Sequence, residues 1–172
     1  MANYITTHDS KGNSVFSDKV PTTHNALPIP NGELNLLYST HASIPSVGSE
    51  DDIDKYAQDR RNGIATGLCP SNGTAIAMVS FAASSSSPMH RTLTLDYMII
   101  LEGVMELRLD SGEVRTLKAG DSVVQRAVMH QWKNVTPDDG IAKAVAIAMD
   151  IEKPLDIAGK SLETEFRMQS TI

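Results

Sequence analysis

Cysteine is nearly absent from this chain. Cys69 stands alone among 172 residues, which excludes an internal disulfide and fits a reducing compartment. Clustered positive charge is absent too. The 15 lysines and arginines are scattered against 21 acidic residues, so there is no basic face for nucleic-acid phosphates. No run of eighteen apolar residues occurs, which excludes a spanning helix. The opening MANYITTHDSKGNSVF lacks the basic-then-apolar plan of a secretion signal. What remains is an ordinary globular composition, 41% hydrophobic and 21% charged, long enough for one domain with a sizeable core. The expectation is a soluble, cytoplasmic protein acting on something small, with neither nucleic acid nor membrane as partner.

Taken in order, residues 3 to 20 read as a two-stranded arm turning at Ser10-Lys11-Gly12-Asn13. Such a hairpin is barely stable alone, so it must dock on its own barrel or on a second subunit. Pro28, Pro30 and Asn31-Gly32 break any long helix, and ELNLLYSTHA reads as a strand. SVGSEDDIDKYAQDRRN carries helix signals: Ser49 as N-cap, acids in the first turn, Arg60 and Arg61 near the end, Gly63 after them. It reads as a short surface helix, and GIATGLCPSNG as a loop. From Gly73 the pattern is β. TAIAMVSFA and HRTLTLDYMIIL each read as one strand, and VMELRLDSGEVRTL as a hairpin. DSVVQRAVMHQWKNV and IAKAVAIAMDI complete the set, and SLETEFRMQSTI reads as a short C-terminal helix. Six or more strands with turns about every ten residues predict an all-β sandwich or barrel. The division expected is 1–45 as arm and packing strand and 46–172 as barrel, in one structural domain.

The chemistry concentrates between Pro88 and Asn134. At period two, His90, Thr92 and Asp96 share a strand face, and His130 returns some forty residues later. Two imidazoles and a carboxylate meeting in one cavity would hold a divalent transition metal (Fe, Zn, Mn or Ni). Without a metal, Asp96 and His130 would form an acid–base pair. Thr92 is a poor ligand and is read as a hydrogen-bonding neighbour of substrate or ligand. Arg126 shares parity with His130, which turns it inward for a substrate carboxylate or enolate and turns Gln125 away. Trp132 and Met98 wall the cavity, Tyr97 lies outside it, and His8, His24 and His41 are solvated.

These motifs resemble the cupin superfamily of small jelly-roll barrels. His90, Thr92, Asp96 and Gly103 keep the spacing of the first family motif, with Thr92 in place of its second histidine and Asp96 in place of its glutamate. Gln125, Ala127, His130 and Asn134 fall on the second motif, after the turn Gly120-Asp121. The pattern HRT…DY…LEG followed by VVQR…H-x-W, with YITTHDSKGNSVFSDKVP upstream, is similar to a fungal and bacterial subgroup often linked to polyketide biosynthesis. The resemblance implies a cupin-type jelly-roll β-barrel with an N-terminal β arm, often homodimeric. It also implies a metal-dependent enzyme that tailors an oxygenated metabolite by non-redox chemistry, a lyase or isomerase working by decarboxylation, dehydration, isomerisation or cyclisation. The alternatives are a non-haem iron oxygenase and a non-catalytic ligand-binding barrel. His130, Asp96 and Arg126 are the expected catalytic residues, Thr92, Trp132 and Met98 the substrate contacts, and His90, Asp96 and His130 the metal ligands.

Overall fold

Small apolar residues alternating along two central strands set the architecture. In β5 (Thr74–Phe81) the residues Ala75, Ala77, Val79 and Phe81 share one buried face, and in β12 (Ala142–Asp150) Ala142, Ala144 and Ala148 do the same. The computed structural model describes residues 2–65 and 67–167. Six strands form one sheet: β10 (Ser122–Arg126), β7 (Thr94–Glu102), β12, β5, β4 (Gly32–Thr40) and β3 (Leu27–Ile29), in that order. Five form the other, in the order β15 (Glu165–Arg167), β6 (Met89–Arg91), β11 (His130–Asn134), β8 (Val104–Leu109) and β9 (Val114–Lys118). All pairings are antiparallel. Met98 and Ile100 from the first sheet pack with Met105, Leu107, Leu117 and Trp132 from the second, so the main core lies between the sheets.

Two segments read as single strands are each divided. HRTLTLDYMIIL breaks at Thr92-Leu93, leaving β6 in the five-stranded sheet and sending β7 to the six-stranded one. DSVVQRAVMHQWKNV breaks between β10 and β11, where Ala127 adopts a left-handed φ of 50° and the chain again changes sheet. The turn from β7 to β8 depends on Gly103, with φ of 79°; a Cβ there would stand 2.5 Å from Thr136 Oγ1 and 2.7 Å from the Ile141 carbonyl oxygen. Asn134, 1% exposed, ties the same end together. Its Nδ2 donates to the carbonyls of Ala82 and Gly140, both at 2.9 Å, and its Oδ1 accepts from Thr136 N and Oγ1 at 2.9 and 2.6 Å.

The helix α1 (Asp51–Asn62) is no free surface helix, because Ile53, Tyr56 and Ala57 fall at i, i+3 and i+4 and pack with Leu36, Ala75 and Ala148. Burying Ile53 and Tyr56 stabilises the fold by about 1.5–3 kcal/mol each. Its N-cap is Glu50, one residue after the expected Ser49, and no side chain caps it. The arm forms as read, with β1 (Thr6–His8) pairing with β2 (Ser14–Phe16) and Asp9 Oδ1 accepting from the backbone of Lys11 and Asn13. It docks on its own chain: Asn3 Nδ2 donates to the Leu37 carbonyl at 2.7 Å, and Lys19 pairs with Asp54 of α1. The tail differs from expectation. Residues 155–167 form the hairpin β13 (Leu155–Ile157) and β14 (Lys160–Leu162), then β15. Backbone pairing to β6 overrides the weak helical pattern there; the last five residues of the expected helix lie outside the described residues.

Candidate active site

A cavity of about 480 Å³ opens between the two sheets and α1. The alanines of β5 and β12 leave this space. Leu34, Leu36, Val79 and Phe81 make most of its wall apolar, and the polar side chains gather on one part of it. His90, Thr92, Asp96, Met98, His130 and Trp132 all line it, as the sequence led us to expect, although parity along one strand is not the reason. The imidazoles stand on the five-stranded sheet, where His90 and His130 are directly opposed in the β6–β11 ladder. Asp96 comes from β7 in the facing sheet. The break at Thr92-Leu93 is what lets one short segment supply both walls.

The two imidazole centroids are 4.3 Å apart. Each ring is anchored in the same way: His90 Nδ1 lies 2.9 Å from the Pro88 carbonyl oxygen, and His130 Nδ1 lies 2.9 Å from that of Val128. A carbonyl only accepts, so Nδ1 carries the proton and Nε2 of the neutral ring is an acceptor or ligand. Burial, followed by the neighbouring His90, outweighs the Val128 hydrogen bond and pushes the His130 pKa down to about 4. His130 is therefore neutral at pH 7. Phe166 of β15 stacks on His90 at 5.5 Å and 4°. Reading the tail as a helix concealed this contact.

Asp96 is 8% exposed, and burial lifts its pKa to about 6, against the opposing pull of the Thr94 and Thr92 hydroxyls. Thr94 Oγ1 in turn donates to Thr92 Oγ1 at 2.9 Å. Among the described residues, three that line the cavity each carry one buried side-chain atom with no hydrogen-bond partner: Asp96 Oδ1, Gln125 Nε2 and Trp132 Nε1. Leaving such atoms unsatisfied costs about 1–3 kcal/mol apiece, so each calls for a physical explanation.

Two expectations reverse. Gln125, 3% exposed and paired in register with Asp96, faces the cavity. Arg126 is exposed and borders a separate surface depression with Glu152 and Leu155. Shared parity between Arg126 and His130 requires a continuous strand through residues 127–129, and the left-handed Ala127 and the change of sheet break that continuity. Asp59 was also missed, although it sits three residues after Tyr56 on the buried side of α1. It lines the cavity and binds Ser39 Oγ at 2.6 Å and His41 Nε2 at 2.8 Å, so His41 is not simply solvated. His24 likewise has its Nε2 buried. Tyr97, expected outside the cavity, borders it while remaining 37% exposed on β7. Burial pushes the Cys69 thiol up to about 11, away from reactivity.

For a divalent ion the donors fit as a pair. Two side-by-side imidazoles with protonated, carbonyl-anchored Nδ1 atoms are arranged as ligating histidines are. Among the described residues, however, no three His, Cys, Asp or Glu side chains are grouped closely enough to hold one ion. No described helix is long and apolar enough to cross a membrane.

Comparison with known proteins places relatives in fungi. The chain is 32% identical over 164 residues to the cupin-domain-containing oxidoreductase fogC of Aspergillus ruber, covering 95% of this chain and 78% of that protein. It is 34% identical over 160 residues to the phomopsin biosynthesis cluster protein C' of Diaporthe leptostromiformis, covering 92% and 82%. Among solved structures, KdgF from Halomonas sp. is similar in fold, with a TM-score of 0.50 at 15% identity over 75% of this chain and 88% of that one. No family model matches the chain.

Proposed function

This chain belongs to the cupin-domain-containing proteins, and on that premise we propose that it is a secondary-metabolism enzyme that moves protons on a small oxygenated, polyketide-like metabolite. The observation that carries this reading is Asp96: a buried carboxyl with one orphaned oxygen, a pKa of about 6, and two acceptor imidazoles on the opposite wall of an apolar cavity. A proton carrier works best when its pKa lies near the working pH. At pH 7 Asp96 is mostly ionised and takes a proton; His130, with its pKa about 4, does not compete for it. The Nε2 atoms of His90 and His130 accept hydrogen bonds from the substrate and hold it against Asp96, while Trp132 and Met98 shape the apolar wall. Dehydration, isomerisation and cyclisation need only this traffic of protons. Decarboxylation would bring in a carboxylate that no lysine or arginine among the described residues of the cavity wall could meet.

The test is exchange of α-protons of a β-hydroxy ketone with heavy water, followed by NMR. Wild type accelerates exchange, with a rate that rises through an apparent pKa near 6. Asp96→Asn reduces it by roughly 10²–10⁴-fold. Exchange that survives in Asp96→Asn would remove the proposal.

The anchoring of both imidazoles, together with the oxidoreductase name of the Aspergillus relative, favours a second reading. In it a divalent transition ion, held by Nε2 of His90 and His130 with Asp96 as a more distant donor, would supply Lewis-acid or redox chemistry. Metal analysis separates the two. About one ion per purified chain, lost in His130→Ala, supports the second reading, and full exchange activity in chelator-treated protein supports the first.

A further inference from the structure

The same cavity carries information about what it admits. Its wall, traced through the described residues, includes no lysine and no arginine, and its two acidic side chains are Asp59 and Asp96. An anionic ligand would therefore meet carboxyls and no compensating cation in a desolvated space, which is strongly unfavourable. Against that background the orphaned atoms form a pattern. Gln125 Nε2 and Trp132 Nε1 are N–H donors without acceptors, each on a side chain 3% exposed, and Asp96 Oδ1 is an acceptor without a donor. The first two ask for a ligand oxygen that accepts, and the third for a hydroxyl that donates. The rest of the wall is aliphatic, with Leu34, Leu36 and Val79 facing the space, and 480 Å³ suits a small organic molecule more than a macromolecular segment.

We infer that the ligand is an uncharged hydroxy-carbonyl compound with an apolar body, its carbonyl received by the Gln125 and Trp132 N–H groups and its hydroxyl by Asp96. This deepens the functional reading and rests on the cavity being the reaction site. It excludes carboxylates and phosphates as the preferred class. It also gives the inward glutamine a role in specificity: Gln125 selects an oxygen acceptor and takes no part in proton transfer.

Trp132 is the only tryptophan of the chain, so its fluorescence reports occupancy of the cavity without any turnover. Three probes of matched length are titrated into the full-length protein: 4-hydroxynonan-2-one, nonan-2-one and nonanoate. The expected result is a saturable change in emission, with the hydroxy ketone binding about tenfold more tightly than the ketone, one hydrogen bond's difference, and nonanoate weakest. Gln125→Met, which keeps length and apolar volume, weakens both ketones by about tenfold and leaves nonanoate unchanged. Nonanoate equal to or tighter than the hydroxy ketone overturns the inference, as does no saturable change with the hydroxy ketone. Because these wild-type arms need no variant, a misfolded Gln125→Met cannot shelter the inference; a folded one with unaltered ketone affinity refutes it. The two proposals fail separately. The expected ranking without proton exchange removes the enzymatic reading alone, and exchange with a preference for anions removes the substrate class alone.

Discussion

Asp96→Asn should make the protein more stable at alkaline pH while slowing the proposed proton exchange by roughly 10²–10⁴-fold. The folded state raises the pKa of Asp96 from 3.8 to about 6, so its ionised form is disfavoured by the fold. The sign follows directly. Below the unfolded value both states hold the proton and Asp96 costs nothing; as pH rises, the unfolded chain releases its proton first, and stability is lost until the folded group has also ionised. About two pH units at 1.36 kcal/mol each give a cost of about 3 kcal/mol above pH 7. Asparagine carries no charge and escapes that cost. Part of the cost remains at pH 4, where the unfolded carboxyl is already partly ionised, so the variant's advantage over wild type should be about 2 kcal/mol larger at pH 8 than at pH 4. Comparing these two differences cancels the packing effects of the substitution. It also cancels the opposite pH slope from His130, whose shift has no contribution from Asp96. Urea unfolding at the two pH values reads this as a midpoint displaced by about 1 M. An advantage that is equal at both pH values, or smaller at pH 8, would refute the claim that burial strains this carboxyl.

Three further outcomes follow from the same geometry. His130 has its pKa lowered from 6.5 to about 4, so its contribution to stability is lost as pH falls through 6.5 and the unfolded chain takes up the proton first. His130→Gln should flatten the acid limb of the stability curve by up to about 3 kcal/mol, measured by urea unfolding between pH 7 and 4. Asn134→Leu strands the carbonyls of Ala82 and Gly140 and frees the Thr136 turn, and should destabilise by about 2–4 kcal/mol in the same assay. Gly103→Ala forces a Cβ against Thr136 and Ile141 at a left-handed φ and should lower the melting temperature by several degrees in calorimetry, whereas Gly112→Ala, at φ of 91° with open space around it, should cost less.

Much of this molecule was legible in its sequence. The hairpin in VMELRLDSGEVRTL and the arm's turn at Ser10-Lys11-Gly12-Asn13 are local signals, and local backbone chemistry decided those elements. The cavity residues His90, Thr92, Asp96 and His130 were legible because their spacing matched a family pattern. Period-two reasoning failed where the chain left one sheet for the other. It could not see the break at Thr92-Leu93, which helped by setting Asp96 opposite the imidazoles, nor the left-handed Ala127, which turned Gln125 inward and Arg126 outward. An alanine at positive φ gives no compositional warning. The tail shows the other limit. A three-residue strand such as β15 has too little pattern of its own, and its conformation is imposed by the ladder with β6 that stacks Phe166 on His90. Asp59 and Ser39 lay hidden for a similar reason, since only the docking of α1 on β4 brings them within 2.6 Å.

The central claim is that a strained Asp96 faces two acceptor imidazoles across an apolar cavity, and the protonation state of those rings tests it most directly. Long-range nitrogen–proton NMR correlations on uniformly labelled protein, assigned with His90→Gln and His130→Gln, should show both rings protonated at Nδ1, with His130 bare at Nε2 at pH 7 and unchanged down to about pH 5. A His130 ring that titrates near 6.5, or either ring without a proton on Nδ1, would contradict the account.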